Sequence, residues 1–383
     1  MMPETTALLI GCGTVGSATA RLLLEDAMFP RIIVADRDAE RASHLAEAVG
    51  GGVTAVRLDW RHDDQLTKAL SGVSVVLNAA GPFGRETLSL MRAVVEAGVP
   101  YADVNDDVEA LQMVFDSEYL NSLARHRGVG VLPGLGASPG QTNLVARQMA
   151  GRMDVVDEVR FFLVNDSDYR SEAVWRRRLA LFGQPALLYD LGRWTETPGM
   201  SEYQDVIFPP PWGTIRCYAV GLETVTIPQS FGGLRHASLW RGFSDSATME
   251  TLKGLIDAGF ASDEPLEVDG VSVSPAALSA AVLALPRPGV EIQDPGRLPR
   301  QVRIKGVRHG RPTELTMTYS FPPGDVALET ASCLVVGARL LVSRELPGPG
   351  VIAPEALDPA PFMWDMESHG AHFRLEDSAS TRN

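Results

Sequence analysis

The chain has 383 residues, of which 45% are apolar and 21% are charged. This length predicts two or three domains, and the composition is that of a folded globular protein, which excludes a disordered or fibrous chain. The net charge of −14 argues against a nucleic-acid backbone or an anionic membrane as a partner. No apolar stretch approaches the ~18 residues of a membrane span, and the first residues lack the basic segment of a signal peptide.

Short apolar segments alternate with helical segments along the first 132 residues. The predicted strands are residues 7–10, 31–35, 53–58, 73–78, 101–103 and 129–132. The predicted helices between them are residues 17–24, 37–49, 63–70, 86–97 and 108–127. Short, near-continuous apolar strands separated by helices are typical of a parallel sheet with helices on both faces. We therefore predict an α/β fold built on a doubly wound parallel sheet.

A glycine-rich motif follows the first predicted strand and precedes a helix. Its glycines have the G-x-G-x-x-G spacing, and an acidic residue, Asp36, follows at about the 20-residue distance of the dinucleotide-binding fingerprint. In this fingerprint, a pyrophosphate lies on the free N–H groups of a helix N-terminus. The predicted pyrophosphate-binding residues are Gly11, Gly13, Thr14, Val15 and Gly16. The motif predicts a Rossmann-type NAD(P) site.

The choice between NAD and NADP depends on two adjacent residues. Asp36 ends the second strand, where a carboxylate accepts hydrogen bonds from the adenosine ribose and repels a 2′-phosphate. Arg37 follows immediately, and its guanidinium can pair with that phosphate. The sequence favours NAD, with NADP as the alternative.

Two further strand ends suit the same crevice, because ligands of doubly wound sheets bind outside the carboxyl ends of the strands. Asp59 ends the third strand, where an acidic group can meet adenine; a surface turn is the alternative. The residues that end the fourth strand are Asn78, Ala79, Ala80, Gly81 and Pro82. Their small side chains let a flat cofactor lie against the backbone.

Several segments, taken in order, carry a resemblance to a known family. They are residues 11–16, 35–37, 77–83, 98–104, 134–140, 221–228 and 348–370. Residues 136–140 form a Gly-x-x-Pro-Gly turn that enters a helix, and residues 223–228 are Glu-Thr-Val-Thr-Ile-Pro. In this order the segments resemble the saccharopine dehydrogenase-like (saccharopine reductase) family over nearly the whole chain.

The resemblance implies a discontinuous architecture. A Rossmann domain in residues 1–132 would be completed by residues 341–383. An α+β domain with a mixed or antiparallel sheet, in residues 133–340, would be inserted between them and carry substrate contacts and a homodimer interface. The sequence agrees, because after residue 132 the strand–helix alternation stops and residues 302–304 and 315–321 alternate as in an antiparallel hairpin.

The family's best-known chemistry is hydride transfer at a carbon–nitrogen centre. The resemblance therefore implies an NAD(P)-dependent dehydrogenase or reductase acting on an amine or imine of a small polar, amino-acid-derived metabolite. Candidate acid–base residues are expected at the junction between the domains. They are Tyr101 and Asp103, at the end of the fifth strand, and Glu223, in the Glu-x-x-Thr-Ile-Pro element. The alternative for all three is a structural contact in a loop or turn.

Substrate carboxylates would need guanidinium partners, for which Arg170 and Arg235 are the candidates. His236 follows in a glycine-containing loop that could reach a substrate. No metal-ligand spacing appears, so no metal site is predicted. The three cysteines lie far apart without a C-x-x-C pair, which fits a reducing, cytoplasmic compartment. Only three of the 34 basic residues are lysines, so few groups could form a Schiff base.

Two other functions stay open from the sequence. One is an enzyme that keeps NAD bound and uses it transiently, so that the net reaction is a transfer or an isomerisation. The other is a dinucleotide-binding redox sensor without turnover, although a second domain is more than a sensor needs.

Overall fold

The computed structural model describes residues 5–165, 171–285, 298–322 and 326–377. The strands are, in chain order, β1 (Thr6–Ile10), β2 (Arg31–Asp36), β3 (Thr54–Arg57), β4 (Val75–Asn78), β5 (Tyr101–Asp103), β6 (Gly130–Leu132), β7 (Val155–Asn165), β8 (Ala186–Asp190), β9 (Arg193–Thr197), β10 (Tyr203–Phe208), β11 (Gly213–Val220), β12 (His236–Phe243), β13 (Leu266–Val268), β14 (Val271–Val273), β15 (Pro299–Arg308), β16 (Arg311–Ser320), β17 (Gly350–Val351) and β18 (His372–Asp377).

The helices are α1 (Thr14–Glu25), α2 (Ala39–Val49), α3 (Asp63–Ala69), α4 (Glu86–Glu96), α5 (Val108–Phe115), α6 (Glu118–Arg127), α7 (Gln141–Ala150), α8 (Glu172–Gly183), α9 (Ile227–Ser230), α10 (Ser246–Asp257), α11 (Pro275–Leu283), α12 (Val326–Ser343) and α13 (Ala360–Ser368). Short 3-10 helices lie at Glu223–Val225 and Pro354–Ala356.

The chain divides into two compact units. Unit 1 comprises Met1–Gln148, Val225–Ser230 and Gly324–Gly370, and unit 2 comprises Met149–Thr224, Phe231–Pro323 and Ala371–Asn383. The boundaries of this division differ from the predicted ones. Unit 1 continues to residue 148 instead of ending at residue 132, resumes at residue 324 instead of 341, and ends at residue 370 instead of 383. Leu144 of α7 and most of α12 lie in a core of unit 1, whereas β18 pairs with β16 and extends the sheet of unit 2.

The sheet of unit 1 is parallel and has the order β17-β6-β5-β4-β1-β2-β3. Its strands are short and apolar because both faces are covered. On β1, Ala7 and Leu9 enter one core, while Leu8 and Ile10 enter the other. The order reverses between β1 and β4, which is where doubly wound sheets bind ligands. The predicted fold class is confirmed.

The prediction of a single helix over residues 108–127 is wrong, because the structure has two helices there, α5 and α6. The chain leaves the helical path after α5, and the Ser117 hydroxyl then accepts a hydrogen bond from the Leu120 backbone N–H at 3.2 Å. Serine is a preferred N-cap because its oxygen satisfies a backbone donor that the first helical turn leaves free. This cap starts α6 as a separate helix.

One helix in the described ranges, α12, is long and apolar enough to cross a membrane, although the sequence analysis expected no such stretch. Its residues from Cys333 to Leu341 lie largely in the core of unit 1, and it packs against α1. The apolar composition of α12 therefore matches its burial as a core helix, since such helices are hydrophobic nearly all round.

The sheet of unit 2 is mixed and has the main order β10-β11-β12-β7-β15-β16-β18, with β8 and β9 joined to β12 through β8. β12 runs parallel to β7, and its other neighbours are antiparallel to it. The predicted hairpin is present as β15 and β16, which turn at His309 and Gly310. Aromatic residues of α8 pack on this sheet. The ring centroid of Phe243 lies 6.0 Å from that of Trp175 and 5.9 Å from that of Phe182.

Candidate active site

The glycine-rich turn of unit 1 joins β1 to α1 so tightly that two of its glycines cannot be replaced without a clash. Gly11 has a φ of +99°, and a Cβ there would lie 2.6 Å from the Ala80 backbone nitrogen. A Cβ on Gly16 would lie 1.9 Å from the Gly11 carbonyl oxygen. These contacts bring α1 directly against the ends of β1 and β4, which is the close approach that the fingerprint requires.

The N-terminus of α1 is open to an anion. Apart from Gly13 and its two neighbours in the chain, no heavy atom of the described residues lies within 4 Å of the position that a Cβ on Gly13 would take. Thr14 is exposed, Val15 is half-buried, and the first turn of α1 has no acidic side chain. The first N–H groups of a helix have no intrahelical partner, and the helix dipole favours negative charge there. The cradle thus fits a pyrophosphate in size and charge.

Asp36 also shapes the turn. One carboxylate oxygen accepts a hydrogen bond from the Cys12 backbone N–H at 2.9 Å, and the other accepts one from the Asp38 N–H at 3.0 Å. The half-buried Asp36 therefore lies beside the glycine-rich turn. Arg37 is exposed, so its guanidinium is accessible to a phosphate.

The ends of β3 and β4 differ in exposure. Asp59 is half-buried and accepts a hydrogen bond from the Arg61 backbone N–H at 3.2 Å. The segment after β4 emerges from the core in order: Asn78 is buried, Ala79 and Ala80 are half-buried, and Gly81 and Pro82 are exposed. The Ala79 N–H donates to the Ile10 carbonyl at 2.8 Å, which holds this segment beside the glycine-rich turn.

Tyr101 and Asp103 belong to a buried hydrogen-bond chain. Asn78 Nδ2 donates to the Tyr101 hydroxyl at 2.9 Å, and this hydroxyl donates to Asp103 Oδ2 at 2.9 Å. The other oxygen of Asp103 accepts from the backbone N–H groups of Gly134 at 2.8 Å and Asn105 at 3.0 Å. The chain ties the ends of β4, β5 and β6 together.

Burial dominates the acid–base properties of this pair. Both side chains are 0% exposed. Burial raises the pKa of Asp103 to about 6, against the lowering effect of the two backbone N–H groups and the Tyr101 hydroxyl. Burial and then the nearby Asp103 carboxylate raise the pKa of Tyr101 well above its ordinary value. This geometry favours the alternative in which the two residues anchor a loop over direct proton transfer to a substrate.

A second buried polar cluster in unit 1 was missed by the sequence analysis. Glu355, in the 3-10 helix after β17, is 1% exposed and accepts hydrogen bonds from Asn143 at 3.0 Å and Ser230 at 3.0 Å. Burial raises the pKa of Glu355, and its hydrogen bonds oppose that effect. The only sequence signal was the place of Glu355 and Thr226 in segments that resemble the family, with no pattern linking them.

The other predicted site residues belong to unit 2 and differ in exposure. Arg170 lies outside the described residues. Glu223 is 0% exposed in a 3-10 helix. Arg235 is exposed, and its backbone N–H donates to the Asp157 carbonyl at 2.8 Å. His236 begins β12, where its Nδ1 lies 2.8 Å from a carboxylate oxygen of Asp190.

Two arginines that the sequence analysis did not select lie on one face of the unit 2 sheet. Arg241 of β12 and Arg300 of β15 are both directly opposite Leu163 of β7. Residues directly opposite each other in a sheet point to the same face. Arg241 is 5% exposed, and the Arg300 guanidinium stacks 5.9 Å from the Tyr319 ring. The sequence signal that could have identified this site is Arg241 itself, a charged residue within the otherwise apolar run 239–243.

A cavity of about 210 Å³ in unit 1 is separate from these residues. Its lining includes Leu22 and Glu25 of α1, Arg339 of α12 and Trp364 of α13. These α1 residues lie at the opposite end of the helix from the glycine-rich turn, so the cavity is not part of the dinucleotide site. Within the described ranges, no group of three His, Cys, Asp or Glu side chains could hold a metal ion.

Comparisons with known proteins agree with this geometry. Residues 7–128 match a family model described as the saccharopine dehydrogenase NADP binding domain. Carboxyaminopropylagmatine dehydrogenase of Synechocystis sp. is 23% identical, over 93% of this chain and 94% of that protein. Carboxynorspermidine synthase of Vibrio cholerae is also 23% identical, over 95% of each chain. Saccharopine dehydrogenase (L-Glu forming) from Saccharomyces cerevisiae has a TM-score of 0.73 and 16% identity, over 97% of this chain and 99% of that structure.

The parallel sheet and the cradle at its glycine-rich turn define a dehydrogenase that uses a nicotinamide dinucleotide. Residues 7–128 carry the domain that the family model describes, and nearly the whole chain is similar to saccharopine dehydrogenase-like dehydrogenases, as the resemblance predicted.

Proposed function

We propose that this protein transfers hydride at a carbon–nitrogen centre of a small, carboxylated, amino-acid-derived metabolite. The dinucleotide cradle of unit 1 carries the proposal, because it fits a pyrophosphate and places the ends of β4 and β5 where a nicotinamide would lie. Two relatives that align along almost the whole chain support the choice of substrate, since their names describe enzymes of carboxylated amines.

The roles of the protein's own groups follow from this placement. A bound reduced nicotinamide would supply the hydride, and a proton would be added at the substrate nitrogen. The Gly11–Gly16 turn would hold the diphosphate, and the small residues after β4 would leave room for a flat ring. The Asn78, Tyr101 and Asp103 chain keeps the ends of β4 and β5 rigid, so that the ring is held in one orientation. Glu223 remains a candidate for proton transfer.

We propose NAD as the preferred cofactor, with Asp36 as the reason. Its carboxylate lies next to the glycine-rich turn, where it would accept hydrogen bonds from the adenosine ribose and repel a 2′-phosphate. NADP is the alternative, supported by the family model's description and by the exposed Arg37. KM values for NADH and NADPH should favour NADH, and an Asp36→Ser variant should reduce that preference. A wild-type preference for NADPH would refute the role of Asp36.

We propose Arg241 and Arg300 as a binding site for a substrate carboxylate, in addition to the predicted Arg170, Arg235 and His236. The two arginines flank Leu163 on neighbouring strands, so their Cα atoms are roughly 10 Å apart, a distance that two long side chains can close on one anion. A guanidinium pairs with a carboxylate through two parallel hydrogen bonds. The partly buried position would strengthen such bonds.

A panel assay tests the proposed function. Pairs of an amine and a 2-oxo acid or aldehyde are offered with NADH and NADPH, and oxidation of the cofactor is followed at 340 nm. Stoichiometric NAD⁺ release supports the proposal. Turnover without net NAD⁺ release would identify the alternative in which NAD is used transiently. Dinucleotide binding without turnover of any pair would favour a redox sensor.

Two expectations about the state of the protein are also proposals. A homodimer is proposed from the family resemblance, and sedimentation velocity would detect it. A reducing compartment is proposed because Cys12, Cys217 and Cys333 are buried free thiols. Burial raises the pKa of Cys12 and of Cys217 to about 12, so neither is a thiolate at neutral pH.

A further inference from the structure

Glu355 lies at the centre of a buried contact between three distant parts of unit 1. Its Oε2 accepts a hydrogen bond from Asn143 Nδ2 at 3.0 Å, and its Oε1 accepts one from the Ser230 hydroxyl at 3.0 Å. Thr226 also hydrogen-bonds to this carboxylate and accepts a bond from Asn143 Nδ2 at 3.3 Å. The Glu355 carboxyl group thus connects its own segment to residue 143 and to residues 226–230.

Asn143 transmits this contact to the Gly-x-x-Pro-Gly turn. Its Oδ1 accepts a hydrogen bond from the Gly140 backbone N–H at 3.1 Å. The turn is closed by the Gly136 N–H, which donates to the Pro139 carbonyl at 2.9 Å. At its other end, the Gly134 N–H donates to Asp103 at 2.8 Å. Two buried carboxylates therefore hold the two ends of one turn, which follows β6 at the ligand-binding edge of the sheet.

The Glu355 carboxyl group, in its ionised form, decides which way the Asn143 amide points. An ionised carboxylate only accepts hydrogen bonds, so the NH₂ group of Asn143 must face Glu355 and its oxygen must face Gly140. A neutral amide at position 355 could donate as well as accept, and it would no longer select this orientation. The reversed amide would present a donor to the Gly140 N–H, which is itself a donor.

We propose that Glu355 is a positioning residue, which orients Asn143 and thereby fixes the turn 134–140 for hydride transfer. The inference rests on the function proposed above, because ligands of this fold lie at the edge where the turn stands. Displacing such an element by about 1 Å can lower a rate by roughly 100-fold, even when the residue itself never touches the substrate.

The test uses the full-length chain and a pair of substitutions that exchange donor and acceptor. In Glu355→Gln, one of the two acceptor oxygens becomes an NH₂ group, so position 355 no longer enforces the Asn143 orientation, and we expect kcat to fall roughly 10- to 100-fold while KM for the dinucleotide changes by less than about threefold. Adding Asn143→Asp gives the amide an acceptor and leaves an oxygen for Gly140, so the double variant should recover most of kcat. Ser230→Ala, which removes a bond to Oε1 only, is the matched control and should keep kcat within about threefold.

A second measurement reports the turn itself. The ¹⁵N–¹H signal of Gly140, observed in glycine-labelled protein, should shift in Glu355→Gln and return in the double variant, because the signal follows the bond to residue 143. A shifted Gly140 signal with unchanged kcat would overturn the proposal, as would a loss of kcat that Asn143→Asp does not recover. If the wild-type chain turns over no pair in the panel, the proposed function fails and the positioning role falls with it, whatever the variants do.

Discussion

Replacing Asp103 with asparagine should remove a pH dependence from the stability of unit 1. The pKa of Asp103 is raised from 3.8 to about 6 because the carboxyl group is fully buried. Between these two values the native protein holds a proton that the unfolded chain has already lost. Stability from this group is therefore greatest at low pH and is lost as the pH rises through about 6. An asparagine side chain does not titrate, so the variant should lack this loss.

The size of the effect follows from the two pKa values. One pKa unit corresponds to about 1.4 kcal/mol, so the difference between 3.8 and about 6 corresponds to about 3 kcal/mol. Asparagine cannot reproduce both acceptor oxygens, which adds a destabilisation of about 1–3 kcal/mol that does not depend on pH. At pH 4 the unfolded carboxyl has already lost more than half of its proton, so the free energy of unfolding of the variant relative to wild type should improve by about 2.4 kcal/mol between pH 4 and pH 7.5.

Urea unfolding followed by far-UV circular dichroism at several pH values measures this difference. Asp116→Asn removes an exposed carboxylate at the end of α5 and serves as the matched control, with an expected change of less than about 0.5 kcal/mol across the same range. An equal pH dependence in wild type and Asp103→Asn would refute the reasoning, since it would mean that the buried carboxyl titrates at its ordinary pKa.

Three further predictions concern the turn, the buried chain and the substrate. Gly16→Ala should lower Tm and weaken dinucleotide binding at least tenfold, because its Cβ would overlap the Gly11 carbonyl; Gly13→Ala, which meets open space, should keep Tm and weaken binding only. Calorimetry and dinucleotide titration separate the two variants. Tyr101→Phe removes the hydroxyl that bonds Asn78 and Asp103, so it should lower the free energy of unfolding in urea by about 3 kcal/mol. A decrease below about 1 kcal/mol would contradict the hydrogen-bond chain. Arg241→Met should raise KM for the carboxylated substrate roughly 10- to 100-fold, whereas an unchanged KM would remove Arg241 from the proposed carboxylate site.

Local patterns were sufficient for the parallel sheet and its glycine-rich turn. Strands such as β1 are apolar over nearly their whole length, here from Ala7 to Ile10, and this pattern can be recognised without knowing the neighbours of the strand. The turn needs glycine for reasons that act within a few residues, so its spacing identifies it. Less visible was the end of α5, since the helical pattern continues across Ser117 and only the cap shows the interruption.

The buried polar groups could not be found in the same way. Glu355 meets Asn143 across more than half of the chain, and no periodic pattern links residues that far apart. Arg241 and Arg300 become neighbours only because β12 and β15 both pair with β7. The unit to which the last strand belongs could not be predicted either. The pairing of β18 with β16 depends on an open sheet edge and not on the residues of β18 alone.

Sequence by itself determined the class of fold and the dinucleotide-binding motif, because both depend on short-range spacing or on apolar runs. Tertiary structure alone decided how the buried carboxylates are used. Tyr101 and Asp103 stand at the strand end where the sequence suggested an acid–base pair, yet both are closed within a hydrogen-bond chain. Whether an ionisable side chain is offered to a ligand or anchors a loop depends on its burial and its partners, and these are set by contacts between distant segments.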